Sequence, residues 1–195
     1  MTTAFTISEL SLELRQAMKG VSWHEDLPSP TFDELRLLHV PYRDFSGEEH
    51  VGELITVAGL APQVMDIFVG LFAIAFPIHS VRLMHEFAGD DGASMAANNS
   101  SCFNSRRIRN TNRISLHALG RAIDINPIQN PVIRDGVVRP DAGTRYCDRS
   151  LGEPGMFTSD GRATQVFLDA GWKWGGNWDN PKDYHHFFRD ADPVA

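Results

Sequence analysis

His117-Ala-Leu-Gly-Arg-Ala-Ile-Asp124, followed near the C-terminus by Asp183-Tyr-His-His186, supplies three side chains able to hold a metal and one spare carboxylate. A structural zinc site is normally closed by four protein ligands, often Cys, whereas two His and one Asp leave a fourth position for water. Gly120 lets the chain turn after His117. Ala122 to Asn126 then alternates small or polar residues with Ile123 and Ile125, the pattern of a half-buried strand. On such a strand Asp124 faces away from the two isoleucines, so His117 in the turn and Asp124 on the polar face can reach one ion. Pro127 ends the strand soon afterwards.

The third ligand must come from far along the chain. Asp183-x-x-His186 follows a run of Trp, Gly, Asn and Pro residues, which predicts a loop entering a closing strand, Tyr184 to Phe188, with Tyr184 and His186 on one face. Adjacent histidines on a strand point to opposite faces, so only one of His185 and His186 is a ligand, and the pattern alone leaves the choice open.

These residues carry a family resemblance. Ser115-Leu-His-Ala-Leu-Gly-Arg-Ala-Ile-Asp124 resembles the Ser-x-His-x-x-Gly-x-Ala-x-Asp motif of the M15 peptidases, the D-alanyl-D-alanine carboxypeptidase and L-alanyl-D-glutamate peptidase family. Asp183-Tyr-His-His-Phe187 resembles its second motif, an acid three residues before a His that an aromatic follows. The resemblance implies one zinc ion held by His117, Asp124 and His186, with Asp183 as the base where many members carry Glu. Further landmarks extend the likeness from about residue 35 to the end: Asp44-Phe-Ser-Gly47, Gly52-Glu-Leu-Ile-Thr56, Phe76-Pro-Ile78, Asn98 to Arg106, Asn126 to Pro131 and Trp174-Gly-Gly176. The chain departs from better-known relatives in lacking a Tyr-Arg pair on the strand before the zinc loop, Val81 to Phe87. By similarity, Arg106 is the candidate for the substrate-facing arginine, with Arg82 and Arg107 as alternatives.

The activity so implied is hydrolysis of amide bonds in bacterial cell-wall peptides containing D-amino acids, with peptidoglycan stem peptides as partners. The cut is that of a D-Ala-D-Ala carboxypeptidase or of an L-Ala-D-Glu endopeptidase. Zinc would lower the pKa of its water towards about 7 and polarise the scissile carbonyl. Asp183 would take the proton and return it to the leaving amine. Arg106 would grip an oxyanion or a substrate carboxylate with its bidentate fork. The rival from another class is a non-catalytic, zinc-stabilised binding domain of the Hedgehog-like fold. A module that only binds has no need of Asp183.

Composition bounds the rest. At 195 residues the chain can bury one good core and does not require two. A net charge of −7 argues against nucleic acid as partner. The longest apolar run, Val64 to Ile78, is interrupted by Asp66 and Gly70, so it reads as a core helix and not a membrane span. Residues 1–20 mix Glu9, Glu13, Arg15 and Lys19 among apolar residues and show no signal-peptide core; localisation stays open. Cys102 and Cys147 are compatible with one disulfide or with two thiols.

The remaining spacing predicts a helical extension over residues 1–30, with helical periodicity from Ile7 to Met18, and a zinc peptidase domain over 31–195. Thr31-Phe-Asp-Glu34 has capping-box spacing and predicts a helix start. Strands are expected at 52–57, 81–87, 122–126 and 184–188, and helices at 62–76 and 162–171. The irregular stretch 88–115 is long enough to suggest a functional loop, and Asn98, Asn99, Ser100 and Ser101 suit either peptide binding or an ordinary surface loop. Mixed elements without βαβ repeats favour an α+β fold, Hedgehog/D-Ala-D-Ala peptidase-like, in which helices pack on a small, mainly antiparallel sheet carrying a single zinc site.

Overall fold

The structure, a computed structural model, describes residues 5–190. The outer ends of the expected extension and domain, 1–4 and 191–195, lie outside the described residues. The chain runs through β1 (Thr6–Ser8), α1 (Leu12–Met18), β2 (Leu35–Arg43), β3 (Glu49–Val57), α2 (Ala61–Ala73), β4 (Ser80–Val81) and α3 (Asp91–Ala96). There follow β5 (Asn99–Ser100), β6 (Ala122–Asp124), β7 (Val132–Arg134), β8 (Val137–Arg139), α4 (Arg162–Asp169), β9 (Lys173–Trp174), β10 (Lys182–Asp183) and β11 (His186–Phe188). The class is α+β. In place of the one sheet expected, the described residues form four small ones, ordered β1-β2-β3, β10-β7-β8, β6-β11-β9 and β4-β5, whose pairings are antiparallel except β4 with β5.

Several local expectations are corrected. Helical spacing from Ile7 survives only as α1, because Ser11 Oγ accepts the Leu14 N–H and sets the N-cap there. Thr6–Ser8 instead pairs with Leu37 to His39 as an outer strand. Glu34 does accept the Thr31 N–H at 2.8 Å, but it closes a single 3₁₀ turn and not a helix. The residues after that turn, from Leu35 on, form β2, which pairs with β3 over its whole length. Pro41 interrupts no pairing with β1, which reaches only Leu37 to His39. Of the run Val81 to Phe87, only Val81 is strand. Glu86 folds back to accept the Leu83 N–H and turns Met84 to Phe87 into 3₁₀ helix.

Helix α2 forms as expected, with Pro62 in its first turn. Its buried Val64, Ile67, Phe68 and Leu71 belong to the main core with Leu38 and Val40 of β2, Phe167 of α4 and Phe187 of β11. Phe187 stacks on Phe167 with centroids 3.8 Å apart. Fully burying such a side chain contributes roughly 1.5–3 kcal/mol, so Phe187 fixes which face of β11 is inward. Strand alternation then turns His186 to the other face. Among the described residues no helix is long and apolar enough to cross a membrane.

Candidate metal centre

The pairing of β6 with β11 places His186 directly opposite Asp124, while Phe187 opposes Ile123 on the buried side. Ile123 and Ile125 are fully buried, and Asp124 faces away from them, as their alternation predicts. His117 arrives from a 3₁₀ turn, His117–Leu119, closed by Gly120 at φ 62°. The Gly120 carbonyl accepts the Thr56 hydroxyl at 2.7 Å, which ties the turn to β3. Ser115 Oγ accepts the His117 N–H at 3.2 Å.

The result is a tight triangle. His117 Nε2 lies 3.3 Å from His186 Nδ1 and 3.2 Å from Asp124 Oδ2, and His186 Nδ1 lies 2.9 Å from Asp124 Oδ1. Ligand atoms about 2.0–2.1 Å from a tetrahedral zinc stand about 3.3–3.4 Å apart, so the two nitrogens already have the spacing that one ion imposes. His117 Nδ1 donates to the Cys102 carbonyl at 2.6 Å, which fixes the tautomer and leaves the Nε2 lone pair aimed into the triangle. Two imidazoles and a carboxylate with convergent lone pairs fit a divalent cation of the zinc class. Burial, the largest influence, works against charge on His117, but the Asp124 carboxylate beside it leaves its pKa raised overall. Asp124 is held well below the usual carboxylate range: burial acts the other way and is outweighed by His117 and His185.

His185 is not part of the triangle. It is 3% exposed, its Nδ1–H donates to the Asn130 carbonyl at 2.7 Å, and its Nε2 lies 3.0 Å from Asp183 Oδ1 and 3.8 Å from Asp124 Oδ2. With Nδ1–H committed to Asn130, Nε2 faces the Asp183 carboxylate favourably only when a proton lies between them. Burial lowers the imidazole's pKa most, yet Asp183 and Asp124 together raise it. Asp183 Oδ1 is itself buried, and despite its closeness to His185 no donor is aligned on it.

Arg106 Nε lies 2.5 Å from Asp91 Oδ2 at the start of α3, and Asn104 Nδ2 donates to the other Asp91 oxygen at 2.9 Å. The guanidinium is near enough to His117 for its charge to oppose protonation of that ring. Arg82 is paired instead with Glu86, and Arg107 donates to the Asn112 carbonyl. Asp91 and Asn130, which hold Arg106 and His185, are not singled out by the sequence reading, although Asn130 falls within the landmark Asn126 to Pro131. Trp178 packs its ring 5.5 Å from that of His186, whereas Trp172 is buried with its indole N–H on Gln63.

The polar run Asn98 to Ser101 is neither a surface loop nor a substrate platform, since all four residues are buried. Asn98 Oδ1 accepts the Ile128 N–H, Ser100 Oγ accepts the Asn126 N–H, and the Ser101 backbone exchanges hydrogen bonds with Asp124. These residues frame the strand that carries a ligand. Tyr184 also departs from expectation: it falls between β10 and β11 and points away from His186, into a cleft with Lys182. Cys102 and Cys147 are thiols, and burial pushes Cys102 up to about 12.

Residues 109–188 match the family model of D-alanyl-D-alanine carboxypeptidases of the peptidase M15 group. That stretch contains His117, Asp124, Asp183 and His186, and the match bears out the M15 resemblance of the two motifs. The landmarks before residue 109 lie outside the match. No curated protein and no solved structure matches the chain.

Proposed function

We propose that the protein is a zinc-dependent peptidase that hydrolyses amide bonds in bacterial cell-wall peptides containing D-amino acids. The observation that carries this reading is the triangle of His117, Asp124 and His186 with a buried, donor-free carboxylate oxygen of Asp183 behind His185. Zinc bound to the three ligands would acidify a water and polarise the scissile carbonyl. Asp183 would take a proton from the attacking water and pass it to the leaving amine, one carboxyl serving as base and then acid. His185, anchored on Asn130, holds Asp183 in place. Arg106, oriented by Asp91, offers a planar donor to the oxyanion or to a substrate carboxylate.

The need for Asp183 favours an enzyme over a binding domain that merely contains zinc. Mass spectrometry of purified muropeptides incubated with the protein and zinc tests this. Loss of a terminal D-Ala identifies the carboxypeptidase cut, and release of L-Ala from D-Glu the endopeptidase cut. Asp183→Asn is expected to keep its zinc and lose about 10²- to 10⁴-fold in turnover. An unchanged rate would remove Asp183 from the mechanism, and lost zinc would make it a ligand in a closed site.

A further inference from the structure

A second cleft lies beside β10. Lys182 and Tyr184 line it while Asp183 lies against His185, and none of His117, Asp124, Asp183 and His186 lines it. Its volume is about 710 Å³, within the range of small-ligand sites. Trp174 and Tyr184 give it an apolar wall, and the Trp174 indole N–H donates to the Tyr184 carbonyl at 2.9 Å, which fixes the two rings together.

The charges of this cleft are out of balance. The Arg149 guanidinium sits 4.4 Å from the Tyr184 ring and donates to the carbonyls of Gln129, Tyr146 and Phe157 and to Asn130 Oδ1. These neutral acceptors order the side chain without cancelling its charge. Burial draws its pKa down to about 10, and the groups that offset this are Tyr184 and Cys147, not a carboxylate. Lys182 Nζ has only the Gly176 carbonyl, at 3.3 Å. Among the described residues neither cation has an ion-pair partner, and exposed Asp160 is the single acid lining the cleft. In a chain of net charge −7, two uncompensated cations around one concave surface form a local attractor for anions.

We infer that this cleft is a carboxylate-binding site, separate from the metal centre, that takes a short acidic peptide. Lys182 meets the carboxylate, Arg149 supplies a fixed positive field behind it, exposed Asn177 offers an amide at the mouth, and Trp174 with Tyr184 packs against the apolar part of the ligand. The anion preference stands on the charges alone. The peptide class rests on the proposed peptidase reading, under which the cleft would hold a carboxylate-bearing stem-peptide arm away from the bond being cut.

The test is equilibrium binding of a synthetic stem tetrapeptide to the full chain, followed by the NMR shift of the Trp174 indole N–H, against the same peptide with every carboxylate amidated. The free-acid peptide is expected to shift that signal saturably and the amide to bind at least tenfold more weakly. Lys182→Gln should weaken binding about tenfold, the loss expected for one charge-assisted hydrogen bond. Lys182→Glu should weaken it further, and Asp160→Asn should tighten it. Equal binding of acid and amide, or an unchanged Kd in both Lys182 variants and Asp160→Asn, overturns the inference. Hydrolysis measured in parallel separates the two readings: binding without any cleavage supports the cleft and removes the peptidase, whereas cleavage with no shift at Trp174 keeps the peptidase and removes the cleft.

Discussion

Replacing Gly120 by Ala attacks the turn that brings His117 to Asp124, and the structure says how much it should cost. Gly120 sits at φ 62°, a left-handed conformation that costs an L-residue roughly 1–2 kcal/mol. An added Cβ would also lie 2.6 Å from the Val57 backbone nitrogen and 3.2 Å from the Thr56 carbonyl carbon, on a strand that cannot swing aside as a side-chain tip can. Forcing atoms into a filled site costs typically 1–3 kcal/mol, so Gly120→Ala should destabilise by about 2–5 kcal/mol in all. Gly136, in the turn between β7 and β8, provides the control: it has φ 79° but nothing within 4 Å of an added methyl. Gly136→Ala should therefore lose only the conformational part, roughly 1–2 kcal/mol. Urea unfolding of the zinc-free proteins measures both. Zinc titration should show weakened affinity in Gly120→Ala alone, since Gly136 does not position a ligand. Equal losses in the two variants, with zinc affinity unchanged in Gly120→Ala, would refute the argument that contact with β3 places His117.

Other expectations are simpler to check. His117→Ala and His186→Ala should each abolish stoichiometric zinc by metal analysis, whereas His185→Ala should retain it; the reverse result for the two adjacent histidines would exchange their roles. Arg106→Lys keeps the charge but loses the planar fork, so it should lower kcat/KM, and wild-type kcat and KM in both Arg106→Lys and Arg106→Ala would exclude the residue from the site. Asp44, at the tip of the hairpin between β2 and β3, is held well below the usual carboxylate pKa, first by the Ser46 hydroxyl and then by His50. A depressed folded-state pKa stabilises above the unfolded value near 3.9 and is lost as pH falls through the folded value. Wild type should thus lose Tm relative to Asp44→Asn as pH is lowered below about 4, and parallel Tm profiles would show that the carboxylate contributes nothing.

What the sequence determined by itself was the chemistry that local pattern encodes. Spacing of His117, Gly120 and Asp124, with alternation through Ile123 and Ile125, was enough for a turn feeding a strand whose polar face carries the carboxylate. Apolar spacing between Pro62 and Pro77, and again after Gly161, was enough for α2 and α4. These elements are legible because their signals are short-range: a cap, a period, a missing Cβ. The choice of His186 over His185 rested on family likeness. Tertiary packing gives the physical reason, since Phe187 must be inward to meet Phe167, and that rotates the whole of β11.

The errors share one cause. The capping-box spacing of Thr31 to Glu34 leads into a strand and not a helix because β3 lies alongside, and Val81 to Phe87 has strand composition but curls because Glu86 reaches back to Leu83. A strand elsewhere in the chain in the first place, and a side chain folding back within its own turn in the second, outweigh intrinsic preference. The same holds for Asn98 to Ser101, whose polarity reads as surface until Ile128, Asn126 and Asp124 are seen to consume it. Asp91 beside Arg106, Asn130 beside His185 and the cations of the second cleft are likewise invisible in one dimension. Hydrogen bonds and fields depend on through-space distance, and only the folded chain sets it.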